Sequence, residues 1–198
     1  MSSYQAIGAV DLTLRDLLWS EMQFDSVITS IIASESQITL EPPFKLVKDT
    51  EPDQNALSLY LYKVNENPEM KNRFLEAIDG HRQIYPPLAL NLYYLVTPIT
   101  NSADNDHALL GKALQILYKY SILNGSSLKG VLAGSDLQLR IVLNPVSLDE
   151  LSNLWSAFLR PYRLSVSYEV KVVFIDSERE TSGERVLEKR VKVGPIGS

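Results

Sequence analysis

One stretch restricts the fold of this chain more than any other: residues 145–176, PVSLDELSNLWSAFLRPYRLSVSYEVKVVFID. Ser147 followed by Glu150 is a capping-box pattern, in which each side chain satisfies a free amide at a helix start. Leu148, Leu151, Leu154, Trp155, Phe158 and Leu159 recur at three- and four-residue spacing. That spacing predicts a helix with one large apolar face. Burying such side chains stabilises by about 1.5–3 kcal/mol each, before chain entropy is subtracted. Pro161 cannot sit inside a helix, so this one ends by Arg160. The period then changes to two. Leu164, Val166, Tyr168, Val170, Val172 and Phe174 point one way, and Arg163, Ser165, Ser167, Glu169 and Lys171 the other. The resulting strand runs well beyond the usual five or six residues. A helix turned tightly onto an overlong strand is the expected spine of the fold, and it carries no catalytic residue pattern.

The remaining elements follow from the same reasoning. Ile7, Val10, Leu14, Leu17 and Leu18 mark an amphipathic helix over about residues 4–20. The next segment, MQFDSVITSIIASESQ, is apolar without a clear period and leaves its structure open. Ile38–Leu40 before Pro42 and Pro43 predicts a short strand. After a polar loop over 48–55, Leu57, Leu59 and Leu61 alternate with Ser58, Tyr60 and Tyr62, a strand with an aromatic outer face. Residues 65–87 read as a long polar connection, with a short helical piece around 70–78. In LALNLYYLVT (88–97) both alternating sets are largely apolar, which predicts a central strand covered on both faces.

A helix follows over about 106–122, with Leu109, Leu110, Ala113, Leu114 and Leu117 as its stripe and Asn124-Gly125 as its stop signal. Gly125, Gly130 and Gly134 punctuate a turn-rich connector, and Leu137, Leu139, Ile141 and Leu143 form the next strand. At the C-terminus, Leu187, Val191 and Val193 alternate with Glu188, Arg190 and Lys192, a charged edge strand. The sum is an α+β fold: one mixed, largely antiparallel sheet of about six strands with about three helices packed against it. Residues 1–176 form a single domain, and 177–198 are its edge strand and tail.

Composition narrows the function. A net charge of −5 over 198 residues gives no basic footprint for nucleic acid, and no apolar run approaches the length of a membrane span. The N-terminus lacks the uninterrupted apolar core of a secretion signal, so a cytoplasmic product without membrane insertion is expected. The chain has no cysteine, which removes disulfides, zinc–thiolate sites and thiol catalysis. His81 lies in a polar loop and His107 at a helix start, with no partner at ligand spacing. Asp104, Asp106 and His107 lack the glycine and distal glutamate of a calcium loop, and an acid ahead of a helix more often caps it. Gly111-Lys112 lacks the upstream glycine and following hydroxyl of a phosphate loop. No catalytic, cofactor or metal residue is assigned, and no cofactor is expected.

Two features favour assembly. Tyrosine outnumbers phenylalanine ten to five, and tyrosine suits surfaces half-buried against a partner. The overlong strand and charged tail also offer an element for contact with a neighbouring subunit.

Four segments together resemble the N-terminal domain of the cap, or tube-terminator, proteins of phage-tail-like contractile injection systems. They are LSLYLYKVNENPEMKN (57–72), PPLALNLYYLVTP (86–98), HALLGKALQILY (107–118) and LNPVSLDELSNLWSAFLRPYRLSVSYEVKVVFID (143–176). The resemblance implies a non-enzymatic subunit that forms a homohexameric ring, ends growth of the inner tube and contacts the last sheath ring. Some relatives carry a further C-terminal region. The contacts are expected on the segments the core does not consume. These are residues 65–85 (Asn67, Glu69, Lys71, Arg73, His81, Arg82), 99–106 (Asn101, Asp104) and 177–198 (Arg179, Arg185, Lys189, Arg190, Lys192). Trp155, Tyr162 and Tyr168 are expected in the core. The alternatives are another ring component of a phage-tail-like particle, or a small-molecule-binding or hydrolytic α+β domain using Asp104, Asp106 and His107 or the 65–85 loop.

Overall fold

The computed structural model describes residues 4–48, 51–52, 54–70, 76–77, 82–84, 86–175 and 180–182. In chain order the elements are α1 (Ala6–Met22), α2 (Ser26–Ile31), β1 (Ile38–Thr39), β2 (Val47–Lys48), β3 (Glu51–Pro52) and β4 (Ala56–Glu66). Then come β5 (Glu76–Ala77), β6 (Arg82–Ile84), β7 (Leu88–Ile99), α3 (Ala103–Lys119), β8 (Ile122–Asn124) and β9 (Gln138–Asn144). The last are α4 (Leu148–Ala157), β10 (Val166–Ile175) and β11 (Glu180–Ser182).

Six strands form one mixed sheet in the order β1-β4-β7-β10-β9-β8, antiparallel except for the parallel β1–β4 pair. As the two-sided apolar pattern predicts, β7 is central, flanked by β4 and β10. The sheet ends in a two-residue strand at one rim and a three-residue strand at the other. One face carries the main core. Leu57 and Leu59 of β4, Leu92, Tyr94 and Val96 of β7, and Tyr168 and Val170 of β10 meet the buried stripes of α1, α2 and α3 there. The stripe on α3 includes Leu109, Leu110, Ala113 and Leu117, with Leu114 only partly buried.

The connector after β8 closes on α1. Lys129 donates its backbone N–H to Thr13 Oγ1 at 3.0 Å, and Thr13 donates to Ala9 O at 2.7 Å. Gly130 sits at φ +56°, and a Cβ there would lie 3.2 Å from Ala9 Cβ. The undecided segment 22–37 resolves into short pieces: α2, then a 3-10 turn at Glu35–Gln37. Asp25 fixes α2, accepting from Val27 N and Ile28 N through one oxygen and from Lys112 Nζ at 2.9 Å through the other.

Several expectations need correction. The alternation in β10 does not run unbroken to Phe174. A bulge between Val170 and Val173 resets the pleat, and both Val170 and Val173 are buried. A second bulge interrupts β4 between Leu61 and Lys63, and β4 continues to Glu66. The 65–87 excursion therefore starts later than expected. Within it, Glu76 and Ala77 pair as a strand with β6, which displaces the helical piece predicted around 70–78. Helix α3 begins at Ala103 instead of 106, which puts Asp104 and Asp106 in its first turn and not ahead of it. There they stabilise through the helix dipole, and Ser102 at the N-cap makes no side-chain cap. Helix α4 has the predicted capping box, with Glu150 N donating to Ser147 Oγ at 3.2 Å and Ser147 N to Glu150 Oε2 at 3.0 Å. Its apolar face is not core, however. Only Trp155 is fully buried, while Leu148 is 65% and Leu159 89% exposed. The strand predicted over 187–193 lies outside the described residues.

Candidate interaction surface

Among the described residues, the face of the sheet opposite α1–α3 is covered over only part of its area. Pleating sends Ser58, Tyr60, Leu95 and Thr97 to this side because their neighbours Leu57, Leu59, Tyr94 and Val96 face the core. Over these residues lie the 41–47 segment and α4. Ser58 Oγ donates to Glu41 O at 2.8 Å, and Thr97 Oγ1 to Ser165 Oγ at 3.1 Å. Phe158 is the hub of an aromatic cluster, with ring centroids 5.1 Å from Phe44, 5.9 Å from Tyr60 and 5.7 Å from Trp155. Edge and tilted geometries of this kind add to the area buried.

Beyond α4 the same face is polar. Glu169 on β10 sits opposite Tyr93 on β7, and its Oε1 accepts both from Tyr93 Oη at 2.8 Å and from Asn91 Nδ2 at 2.8 Å. Asn91 Oδ1 in turn accepts from Asn67 Nδ2 at 3.0 Å. Lys171 Nζ lies 3.4 Å from Glu169 Oε2, and Lys63 Nζ 4.9 Å from the Tyr93 ring centroid. Burial, and then the neighbouring Glu169 carboxylate that accepts its hydrogen bond, push the Tyr93 phenol up from its ordinary value. These groups satisfy one another and bind the three central strands from the open side.

At the C-terminal end of α4 a cleft of about 280 Å³ opens, walled by Pro43, Phe44, Val47, Trp155, Pro161 and Tyr162, with Arg160 and Arg163. The turn that forms it is strained. Leu159 adopts φ +55°, a conformation that favours glycine, and closes the helix by letting Arg160 N reach Trp155 O. Two donors at the cleft, Trp155 Nε1 and Arg163 Nη1, are buried without an acceptor, while Arg163 Nη2 donates to Thr100 O at 3.1 Å. Tyr162, expected in the core, is 44% exposed because the chain leaves the helix there and crosses the rim of the cleft. Trp155 and Tyr168 are buried as expected.

The residues proposed from the sequence fall into four groups. Glu69, Asn101 and Asp104 are exposed. Asn67 is 3% exposed and is built into the turn after β4: its N–H donates to Ala89 O at 2.8 Å, and its Oδ1 accepts from Glu69 N at 2.9 Å. It is a structural residue here. Arg82 is described as part of β6, where it pairs in register with Ser182 of β11. This pairing brings the 65–85 excursion and the tail together through backbone hydrogen bonds. Lys71, Arg73, His81, Arg179, Arg185, Lys189, Arg190 and Lys192 lie outside the described residues.

The rival chemistry built on Asp104, Asp106 and His107 gains no support. Asp106 Oδ1 is taken by Thr100 Oγ1 at 2.8 Å, and Asp104 and His107 are exposed. Among the described residues no group of three His, Cys, Asp or Glu could hold a metal ion. Also among them, no helix is long and apolar enough to cross a membrane. The cleft and the polar network were not legible beforehand. The one hint was Asn91 and Glu169 interrupting apolar strands.

A helix-backed mixed sheet, with its other face partly covered by an apolar-edged helix, defines an α+β domain. The chain belongs to the Pvc16 N-terminal domain family, whose profile matches residues 9–189. Two solved structures share its fold. One is the sheath/tube terminator of the extracellular contractile injection system PVC in its extended state (TM-score 0.63, 19% identity, 100% of this chain and 66% of that one). The other is the tube-terminating cap of the anti-feeding prophage (TM-score 0.59, 19% identity, 93% of this chain and 60% of that one). The chain thus spans less than two thirds of the length of either. No curated protein matches it in sequence.

Proposed function

We propose that this chain is a structural cap subunit of a phage-tail-like contractile particle. In this reading six copies close a ring, bind the last layer of the inner tube, stop its growth and contact the terminal sheath ring. The subunit turns over no substrate and assembles in the cytoplasm as a particle component. The observation that carries the reading is a fold shared along the whole chain with a protein described as a sheath/tube terminator. The half-open sheet face and the exposed apolar ends of α4 supply contact area of the kind a ring requires. Tube and sheath contacts are assigned to the 65–85, 99–106 and 177–198 segments, with Glu69, Asn101 and Asp104 as the exposed described members. Asn67 is omitted, since it is committed internally.

The test is electron microscopy of particles produced with and without this chain. Tubes of uncontrolled length, or loss of intact particles, are expected in its absence. Particles of normal length with closed ends would overturn the proposal.

A further inference from the structure

Strand β1 pairs only with Leu57 and Ser58 of the 11-residue β4. From Leu59 to Asn65 the outer edge of β4 therefore has no strand partner among the described residues. Other edges left open among them are shorter, such as 142–144 of β9, 172–175 of β10 and the three residues of β11. The two sides of the β4 edge differ. Leu59, Leu61 and Val64 face the helices, opposite Val96, Tyr94 and Leu92 of β7. Leu59 is buried, but Leu61 is only partly buried and Val64 is 43% exposed. Tyr60 and Tyr62 lie on the open face, against Phe158 and Ser167, and both are half-buried. Lys63 follows on that face, over the Tyr93 ring. A strand with one apolar row and one cationic row fits such an edge, because cations pack well on tyrosine faces.

Residues 187–193, LEKRVKV, alternate in that way: Leu187, Val191 and Val193 on one side, Glu188, Arg190 and Lys192 on the other. Their length equals that of the open stretch 59–65. They also start from the right end of the sheet. Strands β4 and β10 both run antiparallel to β7 and finish together, Glu66 opposite Leu90 and Ile175 opposite Leu88. With neighbouring strands about 4.8 Å apart, the two lie about 10 Å from each other. The chain from Ile175 to Leu187 can span up to about 40 Å, and Ser182-Gly183 is a turn signal that sends it back. A chain returning from that end runs antiparallel to β4.

We infer that residues 187–193 complete this chain's own sheet, pairing as an antiparallel strand with the outer edge of β4. Val193 then stands opposite Leu59 and Val191 opposite Leu61, which extends the core row. Lys192 and Arg190 lie against Tyr60 and Tyr62, and Glu188 on the same side falls toward Lys63. The inference is independent of the cap reading, since it concerns how one copy closes on itself. It bears on the contacts assigned to the tail by committing the apolar side of the tail internally.

The absence of native cysteine makes the test direct. A full-length chain carrying both Leu61→Cys and Val191→Cys is oxidised at low concentration. Directly opposite residues have Cα atoms about 4.5–5.5 Å apart, within disulfide reach, so an intrachain disulfide is expected in the monomer. Leu61→Cys with Arg190→Cys aims the second thiol at the other side and should lose it. In the full chain, Val191→Glu with Val193→Glu should speed hydrogen exchange of the outward amides of 59–65 about tenfold, the factor of one net hydrogen bond. Melting temperatures confirm that each variant is folded. Disulfides that form only between chains bearing the single substitutions would put a second copy on this edge and overturn the inference. No disulfide in either arrangement, or exchange unchanged by the glutamates, would also overturn it. Particle microscopy tests the cap separately: closed tube ends without the chain would sink that reading and leave this pairing standing.

Discussion

Tyr94 is fully buried, and its hydroxyl donates to Asp11 Oδ1 at 2.6 Å, joining the central strand to α1. Burial holds the Asp11 carboxyl above its ordinary value of 3.8, and the Tyr94 hydrogen bond works against that shift. A carboxyl raised on folding costs stability once pH climbs past its unfolded value, where the native state must ionise it. Tyr94→Phe removes the donor that eases this ionisation. It should destabilise by about 1.5–3 kcal/mol at pH 7, the range for a hydrogen bond to a charged group, and by less near pH 3. Urea unfolding at the two pH values checks it. Gly130→Ala should cost about 1–2 kcal/mol, because a Cβ is disfavoured at φ +56° and would press on Ala9. The same substitution at Gly111, where a Cβ meets nothing and the helix favours alanine, should stabilise by a few tenths to about 1 kcal/mol.

At the scale of elements, α2 has six residues, too few to persist alone, and depends on Asp25. Hydrogen bonds, first from Lys112 and then from the amide of Ile28, hold the Asp25 carboxyl below its ordinary value of 3.8. For a depressed carboxyl the stabilisation is present above the unfolded value and disappears as pH falls through the lower folded value. Asp25→Asn should therefore melt lower than wild type at pH 7, with the gap closing as pH falls below 3.8. Thermal melts across that interval read it. Elements of this length explain what the sequence concealed. The long strands announced themselves because alternation over LALNLYYLVT is a property of neighbouring residues. The bulges at Leu61–Lys63 and Val170–Val173 depend on how β4 and β10 register against β7, which no local pattern encodes. Helix α4 misled for a related reason. Its amphipathic spacing correctly predicted a helix, but periodicity does not say whether an apolar face meets the core or a surface.

For the whole molecule, the apolar area left outside the core matters most. Leu148, Leu159, Tyr162 and Leu164 are exposed along α4 and its following turn, while the charged segments chosen from the sequence lie elsewhere. Polarity marks what the core rejects, whereas the exposed apolar residues of α4 resemble core in the sequence and were hidden among the core candidates. Light scattering on the wild-type chain should give a mass rising with concentration toward six copies, and Leu148→Glu should hold it at one. The order of strands also has a bearing on storage. With two residues, β1 pairs only Leu57 and Ser58 of the 11-residue β4, so from Leu59 to Asn65 the outer edge of β4 has no strand partner among the described residues, and this is where a stray chain would extend the sheet when the tail is displaced and free copies are kept concentrated.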